Sequence, residues 1–367
     1  MSFRSVPLTA NIFCIALWAT FTEDAMRTPI PLNLLAAALA CSLATASAHA
    51  RARVFVASYG SDSNPCTFGS PCKTFQQAVN AVDAGGEVTA IDSAGFQPVV
   101  ISKSVSIVGP SGIEAGVVAT SGIAIHVTAA TTDTVSLRGL TLDGGGAGSY
   151  GIQVDSVGQL EVIGCVVRNF TNTGIFIGPS TNSTQTLSFV ISDTLVSRNS
   201  IYGILVEGLQ AQTINGTIER VRAIHNLDGI YVYGAAMSGG AINVAISNSV
   251  ASNNTNGIIY QTNAVKTTGS VQNSTISANS NFGLDVESAN VAFTGAVGVQ
   301  SSMFSGNHIA LFNKDGGTIL LSRSMLSYNT FNSQESCSSI CVGDVLSTGD
   351  NGEAGQVTTD FNTFSYH

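Results

Sequence analysis

The sequence predicts an all-β solenoid, in which one short structural unit repeats along the chain. Two observations predict it: a phrase that returns about every 27 residues, and apolar residues that alternate in register within each copy. The phrase is a Ser, an Asn two positions later, a Gly or Ala three to five positions after the Asn, and a short apolar strand. A fixed period of this size is typical of stacked coils, which bury their apolar faces against one another.

The Asn of each copy marks one coil, and the copy at Ser197 to Gly208 shows the phrase most completely. Steps from one Asn to the next are 30, 27, 28, 25, 28 and 22 residues. Asn tolerates the left-handed backbone of a tight corner, and amides stacked at the strand spacing hydrogen-bond along their column. We therefore predict a structural role for this column, which contains Asn169, Asn199, Asn226, Asn254, Asn279, Asn307 and Asn329.

The apolar residues keep the same distance from the Asn in successive coils, as stacked parallel strands require. Eight positions before each of the last six Asn residues stand Ile191, Ile218, Ile246, Val271, Val299 and Leu321. After the turn, Gly203-Ile-Leu-Val206 recurs as Gly229-Ile-Tyr-Val232 and Gly257-Ile-Ile-Tyr260. We expect the first and third residues after each Gly to point inward and the second and fourth to point outward.

Composition sets limits on the partners. The chain has 367 residues, of which 44% are hydrophobic and 10% charged, and a net charge of -9 with 14 Lys and Arg. That length forms a long core within one solenoid, which we expect to be monomeric. Nucleic acid is excluded as a partner because its recognition requires a cationic surface.

The segment before residue 51 reads as a leader. Arg27 supplies a positive n-region, Leu32 to Leu43 an apolar h-region, and Ala48-His-Ala50 a small-residue cleavage pattern. We predict a signal peptide and an upstream extension over residues 1–50, with Met26 as the true start. The other apolar stretch, Ile12 to Phe21, is too short to span a bilayer, so we expect no membrane span and a secreted, periplasmic or cell-surface protein.

Export allows disulfides, because extracellular and periplasmic compartments are oxidising. Cys66 and Cys72 lie in a Pro-rich turn, and Cys337 and Cys341 lie near the other end. Metal binding is the alternative for each pair, but no His is near either one, so disulfides are favoured. Cys165 falls four positions before Asn169, in a column interpreted as mostly apolar, and is predicted to be a buried thiol.

The chain divides into four predicted segments. After residues 1–50, an N-terminal cap covers 51–86. Within it Val54 to Ser58 alternates like a strand, and Lys73 to Val82 places Phe75, Ala78 and Val79 on one face of an amphipathic helix that ends before Gly85-Gly86. The coils cover 87–332, and an irregular C-terminal cap covers 333–367. A cap is expected because an open solenoid end exposes core and unpaired strand edge.

These features resemble right-handed parallel β-helix proteins of the pectin-lyase-like superfamily. The resemblance rests on the repeated Asn-x-x-Gly-Ile-x-Val phrase, the stacked aliphatic columns and the capping helix. Val54-Phe-Val-Ala-Ser58, the Cys66 to Cys72 turn and Lys73-Thr-Phe-Gln-Gln-Ala-Val79 resemble the opening of secreted bacterial members of unassigned function. The resemblance covers roughly residues 53–332. It implies the fold and leaves the activity open, since this fold carries lyases, hydrolases, epimerases and adhesins.

The resemblance implies an active site on the outer face of one sheet. The family's hydrolases carry a Gly-His-Gly and an Arg-Ile-Lys motif, neither of which occurs here, so a lyase is favoured over a glycoside hydrolase. Such a lyase uses Ca²⁺ to acidify a uronate and a basic residue to remove its proton. The candidate catalytic residues are Asp155 and Glu207, two coils apart on the outward side, and Arg168 and Arg198, expected to stack one coil apart. Ordinary solvated corner residues are the alternative for the arginines.

A second outward column is apolar where polar residues are expected. Two positions after each Gly stand Gln153, Phe176, Leu205, Tyr231, Ile259, Asp285 and, after Ala310, Phe312. With Tyr233, this column predicts a ledge on which sugar rings stack, with Phe176, Tyr231 and Tyr233 as glycan-binding residues. The alternative is that loops or the C-terminal tail cover it. His126 and His308 are interpreted as isolated.

The sequence thus predicts a protein that binds an extracellular or cell-envelope polysaccharide along one sheet, and in the enzymatic interpretation cleaves it. The alternative is a non-catalytic adhesive or structural surface protein. No metal site is assigned, and Ca²⁺ enters only with a lyase.

Overall fold

The computed structural model describes residues 51–178, 186–209, 212–236, 240–262, 267–288, 295–336, 344–354 and 362–363. The predicted signal peptide and the Cys337–Cys341 pair lie outside these residues. Within them the chain forms a stack of parallel strands and one short helix, α1 (Phe75–Ala81).

The strands are short and follow one another without interruption by further helices in the described residues. In the first half of the chain they are β1 (Arg53–Val56), β2 (Gly86–Ala90), β3 (Ala94–Phe96), β4 (Val99–Ile101), β5 (Val105–Val108), β6 (Ala115–Val118), β7 (Ile123–Thr128), β8 (Thr134–Arg138), β9 (Leu140–Asp143), β10 (Tyr150–Ser156), β11 (Gln159–Ile163), β12 (Val166–Arg168), β13 (Thr173–Ile177), β14 (Thr186–Ser192), β15 (Leu195–Ser197), β16 (Tyr202–Leu209) and β17 (Thr213–Glu219). In the second half they are β18 (Arg222–Ile224), β19 (Asp228–Ala236), β20 (Ala241–Ser247), β21 (Val250–Ser252), β22 (Asn256–Thr262), β23 (Thr267–Gln272), β24 (Thr275–Ser277), β25 (Phe282–Ser288), β26 (Ala296–Gln300), β27 (Met303–Ser305), β28 (Ile309–Asp315), β29 (Thr318–Ser322), β30 (Met325–Ser327), β31 (Phe331–Ser336), β32 (Val345–Ser347), β33 (Gly352–Ala354) and β34 (Asn362–Thr363).

The strands form three parallel sheets. From β2 to β33, successive strands join sheet 1, sheet 2 and sheet 3 in rotation. Sheet 1 has thirteen strands and runs from β1 and β2 to β32 and β34. Sheet 2 has eleven short strands, from β3 to β33, and sheet 3 has ten strands, from β4 to β31. This is the right-handed parallel β-helix that the sequence predicts.

The core is a set of aliphatic columns that run the length of the solenoid. The column from Ile191 to Leu321 is held in register on sheet 1 and is buried at every position. On sheet 3 the first and third residues after each Gly are equally buried, including Ile230 and Val232. Full burial of one such side chain stabilises the fold by roughly 1.5–3 kcal/mol. The inward alternation predicted from the sequence is confirmed.

One aromatic residue crosses this core. Tyr260 occupies an aliphatic position of sheet 3, is fully buried, and donates a hydrogen bond of 2.7 Å from its hydroxyl to the carbonyl of Val244 on sheet 1. Gly269, the register partner of Val244, makes room for it, since a Cβ there would lie 2.6 Å from the tyrosine ring. The large side chain of Tyr260 on β22 thus fits because Gly269 on β23 has no side chain.

The N-terminal segment forms the predicted strand, helix and disulfide. The side chain of Thr74 accepts a hydrogen bond from the backbone of Gln77 and begins α1, which buries Phe75, Ala78 and Val79. The helix contacts β1 and β4, which are the terminal strands of sheets 1 and 3, and β2, which pairs with β1. Its function as a cap stays a prediction. The Cys66–Cys72 disulfide is present and buried.

From β11 to β31, the turn from sheet 1 to sheet 2 and the turn from sheet 2 to sheet 3 each contain a single left-handed residue. Between sheets 2 and 3 this residue is the one before the column Asn: Arg198, His225 and Asn253 have φ of 56°, 58° and 56°. The Asn itself is buried, and its amide oxygen accepts hydrogen bonds from the backbone N–H and the side chain of the preceding Asn. This ladder consists of Asn199, Asn226, Asn254, Asn279, Asn307 and Asn329.

Two parts of the predicted Asn column are wrong. The left-handed corner conformation belongs to the neighbouring residue, so the ladder Asn is selected for its amide and not for its backbone. Asn169 is not in the ladder: Arg168 pairs with Ser197, so Asn169 aligns with Arg198 and takes the left-handed corner, with φ of 62°. The buried Phe170 stands at the ladder position, and its backbone N–H donates to the Asn199 amide oxygen at 3.1 Å.

A second ladder, which the sequence analysis missed, lines the corner between sheets 1 and 2. The hydroxyl of one coil accepts a hydrogen bond from the backbone N–H of the coil before it, at 3.1–3.2 Å. Cys165 belongs to this column and not to an apolar one, and its N–H donates to the Thr194 hydroxyl at 3.2 Å. Its thiol is free and buried as predicted, and burial raises the pKa of Cys165 to about 11. The hydroxyl positions are Thr194, Ser249, Ser274, Ser302 and Ser324.

Strand pairing continues beyond residue 332, where the sequence analysis placed the end of the coils. β32 pairs with β29, β33 with β30, and β34 with β32, all in parallel. The described part of the 333–367 segment therefore extends the same sheets.

Candidate functional site on the outer face of sheet 3

The outer face of sheet 3 carries both ionisable and aromatic side chains that the core does not use. Its strands are the longest of the three sheets, up to nine residues in β19, and they begin directly after the Asn corner. Three outward columns run along it: the residue before each Gly, and the second and fourth residues after it. We divide this face into three clusters.

The His–Asp cluster lies at the N-terminal end and consists of His126, Gln153, Asp155, Phe176 and Tyr150. His126 Nε2 lies 2.7 Å from Asp155 Oδ2, and Gln153 Nε2 donates to the other carboxylate oxygen at 2.9 Å. The side chains of His126 and Asp155 are 26% and 18% exposed, so the pair is partly desolvated and still reachable. Phe176 follows Gln153 in register, and its ring centroid lies 5.9 Å from that of Tyr150.

This arrangement has the elements of a general acid–base site. An imidazole is held by a carboxylate, and the carboxylate is itself fixed by an amide, which orients the ring and leaves one nitrogen for a ligand. The prediction from the sequence that His126 is isolated is wrong. Its partner lies 29 residues away, on the next strand of the sheet. Only the register of β7 with β10 brings the two together.

The tyrosine cluster lies on β16 and β19 and consists of Tyr202, Tyr231 and Tyr233. The Tyr231 ring lies 5.4 Å from each of the other two rings. Its hydroxyl donates a hydrogen bond to the side-chain oxygen of Gln261. All three rings are partly exposed. Burial raises the pKa of Tyr231 and of Tyr202, and the nearby Asp228 and Glu207 carboxylates add to the shift for Tyr202.

The carboxyl cluster surrounds these tyrosines and consists of Glu207, Asp228, Asp285 and Glu287. Burial raises the pKa of Glu207 and that of Asp228, although the hydrogen bond that the Asn256 amide donates to Asp228 at 2.7 Å partly offsets the latter shift. For Asp285, burial and the neighbouring Glu287 raise the pKa well above its ordinary value. Lys314 Nζ lies 3.8 Å from Glu287 Oε2.

Asp285 is the most unusual member. It is 3% exposed, and its register neighbours on either side, Ile259 and Phe312, are 7% exposed. Its Oδ1 atom is buried and has no hydrogen-bond partner. An ionised carboxylate in such a place is strongly disfavoured, so burial among apolar neighbours favours the protonated form of Asp285.

The predicted ledge is open only in part. Leu205, Ile259 and Phe312 are buried, whereas Phe176 and Tyr231 are partly exposed. The column is therefore not one continuous flat surface. The glycan-binding role of Phe176, Tyr231 and Tyr233 stays a prediction, with their rings at the accessible stretches of the face.

The candidate catalytic residues separate into two groups. Asp155 and Glu207 lie on the outer face of sheet 3, two strands apart, at about 10 Å by the strand spacing. Arg168 and Arg198 do not stack as expected: Arg168 ends β12 on sheet 2, and Arg198 occupies the corner beyond Ser197. Arg168 Nε donates to Asp143 Oδ2 at 2.8 Å. Burial raises the pKa of Asp143, but hydrogen bonds from Asn169, from the Gly145 backbone N–H and from Arg168 together keep it below its ordinary value.

The described residues contain no group of three or more His, Cys, Asp and Glu side chains placed to hold a metal ion. They do not fit the Ca²⁺ site that a lyase of this superfamily would use, and we derive no step through Ca²⁺. In the same residues no helix is long and apolar enough to cross a membrane.

No family model and no curated protein matches the sequence. Among solved structures, the chain is similar to pectate lyase Pel9A, with 17% identity, a TM-score of 0.57, and coverage of 83% of this chain and 81% of that one. The fold is that of the pectin-lyase-like β-helix proteins. A second match is the A-module of the mannuronan C-5 epimerase AlgE4 of Azotobacter vinelandii, with 14% identity, a TM-score of 0.47, and coverage of 77% of this chain and 91% of that one.

Proposed function

We propose that this protein binds an extracellular or cell-envelope polysaccharide along the outer face of sheet 3. The observation that carries the proposal is the set of partly exposed aromatic rings on one outward column, Phe176 and Tyr231, flanked by hydrogen-bonding side chains. Aromatic faces bind the apolar faces of sugar rings, and adjacent amides and carboxyls bind their hydroxyls. The shared fold with a pectate lyase supports a polysaccharide ligand.

The length of the face fits an extended chain. His126, Gln153, Phe176, Leu205 and Tyr231 follow one another in register, so His126 and Tyr231 are four strand steps apart, or about 19 Å. A glycan that lies along the solenoid axis would contact the His–Asp cluster and the tyrosine cluster at once. We propose a secreted or periplasmic location, which the Cys66–Cys72 disulfide supports.

Calorimetry with soluble oligosaccharides from a panel of acidic, neutral and amino-sugar polysaccharides tests the proposal. We expect Phe176→Ala and Tyr231→Ala each to weaken binding by about tenfold, the equivalent of about 1.4 kcal/mol. Tyr59→Ala is the matched control, because Tyr59 is 71% exposed and precedes the coils. Binding that survives both substitutions on sheet 3 would remove this face as the glycan site.

The His–Asp cluster favours a second candidate function, proton transfer to or from the bound glycan. His126 would exchange the proton and Asp155 would orient its ring. An eliminative cleavage produces an unsaturated sugar that absorbs in the ultraviolet, whereas hydrolysis produces only new reducing ends. We expect His126→Gln to abolish product formation and leave binding within about twofold of the native protein. Binding without product from the native protein would support the adhesive or structural alternative.

A further inference from the structure

The outer face of sheet 3 is acidic. Among the described residues of its ten strands, Lys314 is the only lysine or arginine, and His126 is already engaged by Asp155. The same strands carry seven carboxyl side chains, which are Asp155, Glu207, Asp228, Asp285, Glu287, Asp315 and Glu335. A polyuronate would bring further negative charge to this face, at a distance where like charges repel.

The carboxyl cluster is also incompletely satisfied. The Asp285 side chain is buried between Ile259 and Phe312, and one of its oxygens has no hydrogen-bond partner. A buried acceptor without a donor reduces the stability of the folded protein. Glu287 stands on the same face of the same strand, two residues further on, and is reachable with a side-chain exposure of 20%. What this group lacks is a cationic hydrogen-bond donor.

Lys314 supplies such a donor only in part. Its Nζ atom lies 3.8 Å from Glu287, a distance longer than a hydrogen bond, and its side chain is 42% exposed. An exposed pair of this kind contributes little. The remaining negative charge is therefore available to a ligand, and Tyr231 and Tyr233 lie two strand steps away on the same columns, with faces that attract cations.

We propose that the polysaccharide bound on sheet 3 is an amino-sugar polymer with free, protonated amino groups, and that Glu287, with Asp285 behind it, binds one of them. The proposal rests on the proposed glycan-binding function and narrows its substrate class. The ammonium donates to Glu287, and its field stabilises the ionised form of Asp285. Asp285 then releases its proton to solvent, so binding and proton release are coupled. The sugar ring that carries the amine lies towards the tyrosine cluster.

The test uses three hexasaccharides of different charge with the full protein. The first is a β-1,4-linked glucosamine hexamer, the second its fully N-acetylated counterpart, and the third a galacturonate hexamer. Calorimetry at mildly acidic pH, in two buffers with different ionisation enthalpies, gives both the affinity and the number of protons released. We expect the glucosamine hexamer to bind at least about tenfold more tightly than the other two, with net proton release and with weaker binding at high salt.

Two variants locate the effect. Glu287→Gln should weaken binding of the glucosamine hexamer by about tenfold, and Asp285→Asn should abolish the proton release. Glu114→Gln is the matched control, because it removes one carboxylate from an exposed position before β6 of sheet 2. If this control weakens binding as much as Glu287→Gln does, the attraction is a property of the net charge and the assigned site is overturned.

Failure of the inference can be distinguished from failure of the proposed function. Equal or tighter binding of the N-acetylated or the galacturonate hexamer would overturn the amino-sugar assignment and leave glycan binding in place. Absence of binding to all three hexamers and to the wider panel would remove both.

Discussion

Two of the places where this solenoid buries polar side chains differ in how well those side chains are paired. In the Asn ladder, Asn254 accepts from the Asn226 backbone at 2.9 Å and donates to Asn279 and to the carbonyl of Ala223. In the carboxyl cluster, Asp285 is as deeply buried, and one of its oxygens has no partner. The Asn254 amide has partners for both its oxygen and its nitrogen, whereas one oxygen of Asp285 has none.

The difference separates structural from functional burial. A satisfied buried network stabilises one register of the coils, because its amides bond to the coils before and after them. An unsatisfied one reduces the stability of the free protein, and at Asp285 the proposed ligand would compensate for it. We therefore expect a substitution in the ladder to lower the free energy of unfolding and a substitution of Asp285 to raise it.

The largest effect is expected in the ladder. Asn254→Ala should reduce the free energy of unfolding by about 2–4 kcal/mol, because it leaves the Asn226 backbone N–H and the Ala223 carbonyl buried without partners. Urea unfolding followed by circular dichroism measures it. Asn169→Gly is the control: it allows the left-handed corner and removes a hydrogen bond to Asp143 on the half-exposed side, so about 1 kcal/mol is expected. Equal losses in the two variants would contradict the revised ladder.

The next effect has the opposite sign and depends on pH. The pKa of Asp285 in the folded protein is raised above its unfolded value, so its contribution to stability is full below the unfolded pKa and is lost as the pH rises through the folded pKa. The native protein loses the proton of the buried Asp285 carboxyl at high pH and must then bury a charge. The Asp285→Asn variant has no such proton and stays neutral. We therefore expect the variant to be more stable than the native protein by about 1–3 kcal/mol in alkaline solution, with little difference in acid.

Urea midpoints at a series of pH values measure this difference. Asp155→Asn is the matched substitution in the His–Asp cluster, where the carboxylate is already paired with His126 and Gln153. That variant should lose up to about 1 kcal/mol near neutral pH, because the pair is partly exposed. Stabilisation by both substitutions, or by neither, would remove the distinction between a fully paired carboxyl and one with an unsatisfied oxygen.

Much of the fold follows from local pattern, and the site does not. The alternation that places Ile246 and Val244 inward is visible within one strand, and the Asn phrase marks the coil length. The ladder position of Phe170 is also visible, since it stands four residues before Gly174, the spacing of Asn199 from Gly203. The hydroxyl ladder follows from Ser249, which stands five residues before its Asn, as its equivalents do.

The site depends on contacts between coils, and a single sequence does not contain their register. His126 and Asp155 are on different strands and stand at different positions in the phrase, so no column contains both. The burial of Asp285 depends on Ile259 and Phe312 in the coils on either side. Aligning the columns identified Asp285 as an exception to an apolar series, but alignment alone does not measure its exposure.

The smallest effect tests whether the cluster recognises charge. Lys314→Met removes the only lysine or arginine among the described residues of the sheet-3 strands, and it preserves the length and much of the volume of the side chain. Because the Lys314–Glu287 contact is long and half exposed, stability should change by less than about 0.5 kcal/mol. Binding of the glucosamine hexamer should become about two- to threefold tighter, since the ligand amine no longer meets a like charge beside Glu287. Calorimetry measures this gain, and a loss of affinity would mean that Lys314 contacts the sugar and that the ligand is neutral or acidic at this position.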